Sequence, residues 1–229
     1  MQVFEGKSFR GRYEHARGGV ISDVVVRACR VESCVLGHTL DVGNRVTVKN
    51  AVIESCVLSR VQLGPLILDE VRVDNLRVRD GLFVWAPALR HVVLRGPIGS
   101  LAFRSLVDPA SATDAQQRAF DRANAEFYQS VDWALDIREA EFADVQLIGI
   151  PHQLVLRDPE TQVVVTRAKA AEGGWRRIDL HPQLGWELQE LANGHEMGRV
   201  MVAPKRSKGF RTMLRDLQRL REAGVAEAD

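Results

Sequence analysis

The sequence has few of the features that identify secreted, membrane-spanning or metal-binding proteins. Only 3 of its 229 residues are cysteine, and an odd number cannot form a complete disulfide framework. Residues 1–7 lack the apolar core of a signal peptide, and no apolar run reaches the roughly 18 residues that a membrane helix needs. We therefore expect a cytoplasmic protein that does not associate with membranes.

The net charge is also small, and aromatic residues are scarce. Lysine and arginine total 31 against 30 for aspartate and glutamate, so a net charge of +1 provides no general attraction to nucleic acid. Aromatic residues make up 6% of the chain and hydrophobic residues 45%, which indicates an aliphatic core. The chain has neither a glycine-rich phosphate loop nor a spaced cysteine and histidine set, so we expect no cofactor and no metal site.

Apolar residues recur at every fifth position over much of the N-terminal half. Chance would produce an unbroken apolar series of this length roughly 3 times in 10,000 at this composition. The positions two residues earlier are mostly apolar or small, and those two residues later are polar except for Trp85. The central series comprises Val48, Ile53, Leu58, Leu63, Leu68, Val73, Val78, Phe83, Ala88, Val93, Ile98 and Phe103.

A period of five fits neither a helix nor a flat strand, but it does fit very short strands joined by regular corners. Such units need stacking to form a core. The pattern predicts a right-handed parallel β-helix of square cross-section, with four five-residue repeats in each turn. It resembles the pentapeptide-repeat proteins, in which a small residue comes two positions before a central apolar one, as in Ala51 with Ile53 and Cys56 with Leu58.

The chain departs from that family at the position between the small and central residues. Hydrophobic residues stand there in place of aspartate or asparagine, at Val25, Val52, Val57 and Ile67. Some proteins of this family imitate DNA with an acidic surface. Residues 1–100 carry 14 basic and 10 acidic side chains, a net charge of 14 − 10 = +4, which argues against such imitation here.

The five-residue spacing of apolar residues is interrupted in the second half of the chain. Ser111 or Thr113 is suited to cap a helix over residues 114–130, after which the five-residue spacing returns at Ile137, Phe142 and Leu147. We interpret that helix as an insertion or a cap on the β-helix. The predicted organisation is a β-helix over 1–105, a helix insertion and a final partial turn over 106–148, and a small α/β region over 149–229.

The α/β region contains alternating apolar segments. The patterns predict strands around 163–165 and 199–203, a helix over 184–192, and a final helix with its apolar side at 210–220. The whole chain also resembles a bacterial protein family, through residues 131–136 and 157–165. That resemblance implies no activity.

Three groups of residues are candidates for function. An apolar outer surface at Trp85, Leu89 and Leu94 would need a cover, from the rest of the chain, a second copy or another protein. His152 and Arg157 stand where the β-helix meets the α/β region, a place where clefts form. A basic cluster before the final helix is suited to bind an anion and comprises Lys205, Arg206, Lys208 and Arg211.

His91 and the three cysteines have structural interpretations. His91 occupies a predicted inward position, so we expect it in the core. The cysteines also fall on inward positions. If the two extra residues near Gly43 stay within one turn, Cys34 and Cys56 lie on one face of the β-helix.

The favoured function is a non-enzymatic protein-interaction module, for example an immunity or inhibitor protein. The alternative is an enzyme or a small-anion-binding protein with a cleft between the β-helix and the C-terminal region. Nucleic-acid binding through the basic cluster is a third option, and it would weaken steeply with salt.

Overall fold

The computed structural model describes residues 1–108 and 110–227, and these form a mainly β protein with a few helices. Most strands belong to one 15-stranded sheet that curls into a half-barrel. The strands are β1 (Gln2–Glu5), β2 (Ser8–Arg10), β3 (Tyr13–His15), β4 (Val20–Arg27), β5 (Arg30–His38), β6 (Val46–Glu54), β7 (Val57–Leu63), β8 (Leu66–Asp74), β9 (Arg77–Val78), β10 (Leu82–Trp85), β11 (Ala88–Arg90), β12 (Val92–Arg104), β13 (Leu135–Asp136), β14 (Ala140–Leu147), β15 (Val155–Leu156), β16 (Gln162–Thr166) and β17 (Gly198–Val202). The helices are α1 (Asp114–Tyr128), α2 (Arg167–Glu172), α3 (Pro182–Asn193) and α4 (Phe210–Glu222).

Parallel pairing between segments about four repeats apart builds the large sheet. Its order runs from β1 through β4, β6 and β8 to β12, and then back through β10, β7 and β5 to β2. Ala51 pairs with Val71, which follows it by four repeats of five, and Leu68 pairs with Leu89, which follows it by one position more. A separation of four repeats aligns equivalent positions of successive repeats, so their apolar side chains form a continuous core.

Left-handed backbone conformations recur at the same interval of five. Asp23, Ala28 and Ser33 have φ values of 57°, 51° and 52°. Such values are uncommon for residues with a Cβ atom and cost roughly 1–2 kcal/mol each. These residues lie two positions after central apolar residues, where the sequence predicts corners and an extended chain must change direction.

One extra residue interrupts this spacing near Gly81. The left-handed residues Asn75 and Gly81 are six apart, and a spacing of five then continues from Gly81. The buried positions shift with it, so that Leu89 and Leu94 are 0% and 4% exposed while Phe83 is 36% exposed. The prediction that Leu89 and Leu94 belong to an outer interaction surface is therefore wrong, because both lie in the core.

The same shift moves His91 out of the core. It lies at a corner with φ 53°, where its Nε2 is 2.6 Å from Asp132 Oδ1. Its ring stacks on Trp133 with the centroids 4.5 Å apart. The expectation of a core histidine is therefore wrong.

The cysteines stack differently from the prediction. Cys34 pairs with Val61, and the Cys29 carbonyl accepts a hydrogen bond from the N–H of Val57. That register places Cys56 beside Cys29 and not beside Cys34. The prediction assumed only two additional residues near Gly43, but the segment between β5 and β6 is longer than that. Cys29 and Cys56 are therefore separated by more than five repeats along the chain.

Helix α1 lies against the side of the sheet and begins where the sequence predicts. The Thr113 side chain caps it by accepting a hydrogen bond from Gln116 N–H. The buried Arg45 donates to Asn124 Oδ1 at 2.6 Å, and the Asn124 side chain donates to the Ala86 carbonyl. These polar contacts hold the helix to the sheet.

The C-terminal helices surround a second core around the antiparallel pair β16–β17. The predicted strands and the two predicted helices are confirmed, whereas α2 was not predicted. Backbone and amide contacts join this region to the large sheet, with Arg206 N–H donating to Phe142 O and Gln162 Nε2 donating to Ile137 O. No helix within the described part of the chain is long and apolar enough to cross a membrane.

The corner conformation provides a test of the fold. Replacing Ala28 by valine should lower the free energy of unfolding by about 1–2 kcal/mol, because a β-branched side chain is disfavoured at φ 51°. Asparagine, which tolerates this conformation, should preserve stability. Urea unfolding measures both effects. Gln2→Val, at an exposed strand position, is the control, and equal losses in Ala28→Val and Gln2→Val would contradict the corner assignment.

Candidate functional site

Two recesses lie where the large sheet meets the helices. The first is a groove of about 740 Å³ between the sheet, α1 and α3. We call it the tryptophan groove. Its main lining residues are Trp85, Arg104, Tyr128, Trp186, Glu190 and Arg199.

Both tryptophans of this groove have an accessible face. Trp186 is 49% exposed, although it lies on a helix whose other side is buried. Trp85 is half-buried, stacks on Phe83 at 5.8 Å between ring centroids, and donates from Nε1 to Gln62 Oε1 at 3.3 Å. The groove thus presents aromatic surface from two different elements.

Glutamine and tyrosine contacts fix the α1 wall. Gln117 accepts a hydrogen bond from Val107 N–H and donates to the Ser105 carbonyl, both at 3.0 Å. The Tyr128 hydroxyl accepts a hydrogen bond from the N–H of Leu89, and burial raises the pKa of Tyr128. The hydroxyl therefore stays protonated and holds the end of α1 on the sheet.

A buried polar cluster fixes the α3 wall. Gln183 Nε2 donates to Asp144 on the sheet at 2.8 Å and to Glu187 on its own helix at 3.2 Å. Burial raises the pKa of Glu187 to about 7, against the opposing effects of Arg199 and Gln183. A proton on this carboxyl group removes the cost of a buried charge at the contact between helix and sheet.

An arginine fork forms the base of the groove. Arg199 is 3% exposed and binds Glu196 through Nε at 3.1 Å and through Nη2 at 3.2 Å. Its Nη1 donates to Glu190 at 2.7 Å. Burial by itself would lower the pKa of Arg199, but the two carboxylates outweigh burial and raise it. The guanidinium group is therefore committed to these partners.

The described lining of the groove is slightly acidic. Asp121, Glu190 and Glu196 oppose Arg104 and Arg199, which gives 2 − 3 = −1 with histidine counted as neutral. A negative, aromatic groove favours a ligand that is apolar and positively charged.

The second recess, which we call the junction pocket, has a volume of about 810 Å³. It opens where β15, β16 and α2 approach the C-terminal segment. Its lining combines apolar and charged side chains, and the main residues are His152, Val155, Arg157, Val164, Arg167, Ala171 and Glu227. His152 and Arg157, which the sequence placed near a junction, therefore line the same pocket.

His152 forms a rigid part of this wall. It is 8% exposed, and a Cβ atom at Gly198 would lie 2.7 Å from its Cε1. Only glycine leaves room for the ring at that position. Burial lowers the pKa of His152, partly opposed by the charge of Glu227, so the ring is neutral at neutral pH.

The predicted basic cluster does not belong to either recess. Lys205 Nζ forms an ion pair with Asp158 at 3.1 Å, and the Arg206, Lys208 and Arg211 side chains are exposed. None of the four is among the described residues lining the groove or the pocket. Their association with His152 in one cleft is therefore not observed.

Sequence reasoning missed most of the lining residues. Trp186, Arg167 and Arg199 carried no spacing motif, because they come from elements that meet only in the folded chain. No group of three or more histidine, cysteine, aspartate or glutamate side chains in the described residues is arranged to hold a metal ion.

Comparison with known proteins gives no match. No protein-family model, curated protein or solved structure matches the chain.

The buried Glu187 provides a pH test of the α3 wall. The carboxyl group has an ordinary pKa of 4.5 and a folded pKa of about 7, so the folded state retains a proton that the unfolded state releases. Stability should therefore fall as the pH rises between these values. From about pH 5 to about pH 8, the wild type should lose about 2.5 kcal/mol more than Glu187→Gln.

Urea unfolding at the two pH values measures this difference. Glu126→Gln, which removes an exposed carboxylate on α1, is the control and should follow the wild-type profile. Identical pH dependence in the wild type and Glu187→Gln would contradict the assignment.

Proposed function

We propose that the protein is a non-enzymatic, cytoplasmic interaction module whose tryptophan groove binds an extended segment of a partner protein. The observation that carries this proposal is that Trp85 on β10 and Trp186 on α3 line one accessible groove. Tryptophan is among the residue types most enriched at the positions that dominate binding energy in protein interfaces.

The charge of the groove defines the partner segment. The described residues that line the groove have a net charge of −1. This lining favours a partner segment in which an apolar or aromatic side chain stands next to lysine or arginine. The apolar side chain would pack between the tryptophans, and the cation would approach Asp121 on α1, whose carboxylate also accepts a hydrogen bond from Gln117.

Binding is favoured over catalysis because three of the five charged groups in the described lining of the groove hold each other. Glu190 and Glu196 are both hydrogen-bonded to Arg199, and that arginine is almost fully buried. Groups tied in this way position a surface and are poorly placed to transfer protons.

In this proposal the curled sheet is a right-handed quadrilateral β-helix of pentapeptide-like repeats. Parallel pairing of segments four repeats apart and left-handed corners at every fifth position support it. Such a scaffold would present the groove rigidly, which reduces the entropy lost on binding. Three unpaired cysteines are consistent with a reducing compartment.

Selection of random displayed peptides against the full chain tests the proposal. We expect an enriched motif in which an aromatic or aliphatic residue stands beside a basic one. A synthetic peptide with that motif should bind at least about tenfold more weakly to Trp186→Ala and to Trp85→Ala, because each change removes one of the two tryptophans that line the groove. Fluorescence anisotropy measures the affinities.

Tyr13→Ala is the matched control, because Tyr13 is 58% exposed and does not line the groove. It should leave peptide affinity unchanged. Selected peptides that bind all three variants equally would contradict the proposal. An acidic consensus among the selected peptides would also contradict it. A further contradictory result would be a dimer of the chain that dissociates when Trp186 is replaced by alanine.

A further inference from the structure

The junction pocket differs from the tryptophan groove in its chemistry. Its volume of about 810 Å³ lies in the range of small-molecule sites. Its described lining combines the apolar side chains Val155, Val164 and Ala171 with the guanidinium groups of Arg157 and Arg167. Such a combination suits a ligand with an apolar body and an anionic end.

Arg167 is the cation best placed to bind an anion. Its Nη1 donates to the Gly194 carbonyl at 3.3 Å, which holds the side chain along the pocket wall. No carboxylate within residues 1–108 and 110–227 forms an ion pair with it. Most of its N–H groups therefore lack a partner in the described structure, and a planar guanidinium matches a carboxylate in two parallel hydrogen bonds.

A single carboxylate matches this arrangement. The Arg167 guanidinium can bind one carboxylate through two parallel hydrogen bonds, whereas Arg157 already donates from Nη1 to the Gln162 carbonyl at 3.2 Å.

The C-terminal segment borders the pocket and contributes one carboxylate to its described lining. The N–H of Glu227 donates to the Val164 carbonyl at 2.9 Å, which anchors the segment beside the pocket. The Glu227 side chain lines the pocket, and its charge acts on His152.

We propose that the junction pocket binds a small organic monocarboxylate, with the carboxylate on Arg167 and the apolar body against Val155, Val164 and Ala171. The site is separate from the tryptophan groove and does not depend on its proposed function. Binding is reversible and involves no covalent step.

Calorimetric titration of the full chain with 1-naphthoate tests this site. We expect saturable binding that is at least about tenfold weaker for the uncharged 1-naphthalenemethanol and for inorganic phosphate. The first comparison removes the charge and the second removes the apolar body.

Two variants locate the binding. Arg167→Gln should weaken naphthoate binding at least about tenfold, because it removes the cation and keeps a polar side chain. Ala171→Trp should abolish binding by filling the pocket, and it changes an exposed position that tolerates a large residue. Arg211→Gln, which removes an exposed arginine outside the pocket, should bind naphthoate like the wild type.

Several results would overturn the proposal. These are the absence of saturable naphthoate binding, equal binding by wild type and Ala171→Trp, or phosphate binding as tight as naphthoate binding. Loss of naphthoate binding in Trp186→Ala with retention in Ala171→Trp would also overturn it, because the ligand would then occupy the tryptophan groove. Naphthoate binding that is retained in Trp186→Ala and lost in Ala171→Trp supports binding in the junction pocket. This result does not depend on the outcome of the peptide selection.

Discussion

Parallel backbone pairing between segments four repeats apart is the constraint on which the rest of the structure depends. It aligns each apolar position with its equivalent in the paired segment, as Ala51 with Val71, and so builds the main core. The same pairing holds residues such as Ala28 in a left-handed conformation that they would otherwise avoid. The free energy of pairing and burial must therefore exceed the strain at the corners.

Small changes in the spacing have large local effects because the register is so regular. A single additional residue between Asn75 and Gly81 transfers burial from Phe83 to Val84 and turns His91 outward. Beyond the shift, Trp85 remains at the surface while Leu89 is enclosed. The sheet can absorb the extra residue because Gly81 adopts φ 86° without a steric cost.

Strand β17 contributes to both recesses. Successive side chains of a strand point to opposite faces. Gly198 therefore contacts the His152 ring behind the junction pocket, while the adjacent Arg199 binds Glu190 in the tryptophan groove. Two neighbouring positions thus serve an apolar, cationic pocket on one side and an aromatic, acidic groove on the other.

Local patterns in the sequence were enough to predict the parallel β character, the corners, α1 with its Thr113 cap, and the two later helices. These features depend on periodicity and capping, which act over a few residues. The position of the frame shift, the stacking of Cys29 with Cys56, and the lining of both recesses were decided by tertiary structure. Residues such as Trp85 and Trp186 are far apart in the chain, and only the docking of α3 on the sheet brings them to one groove.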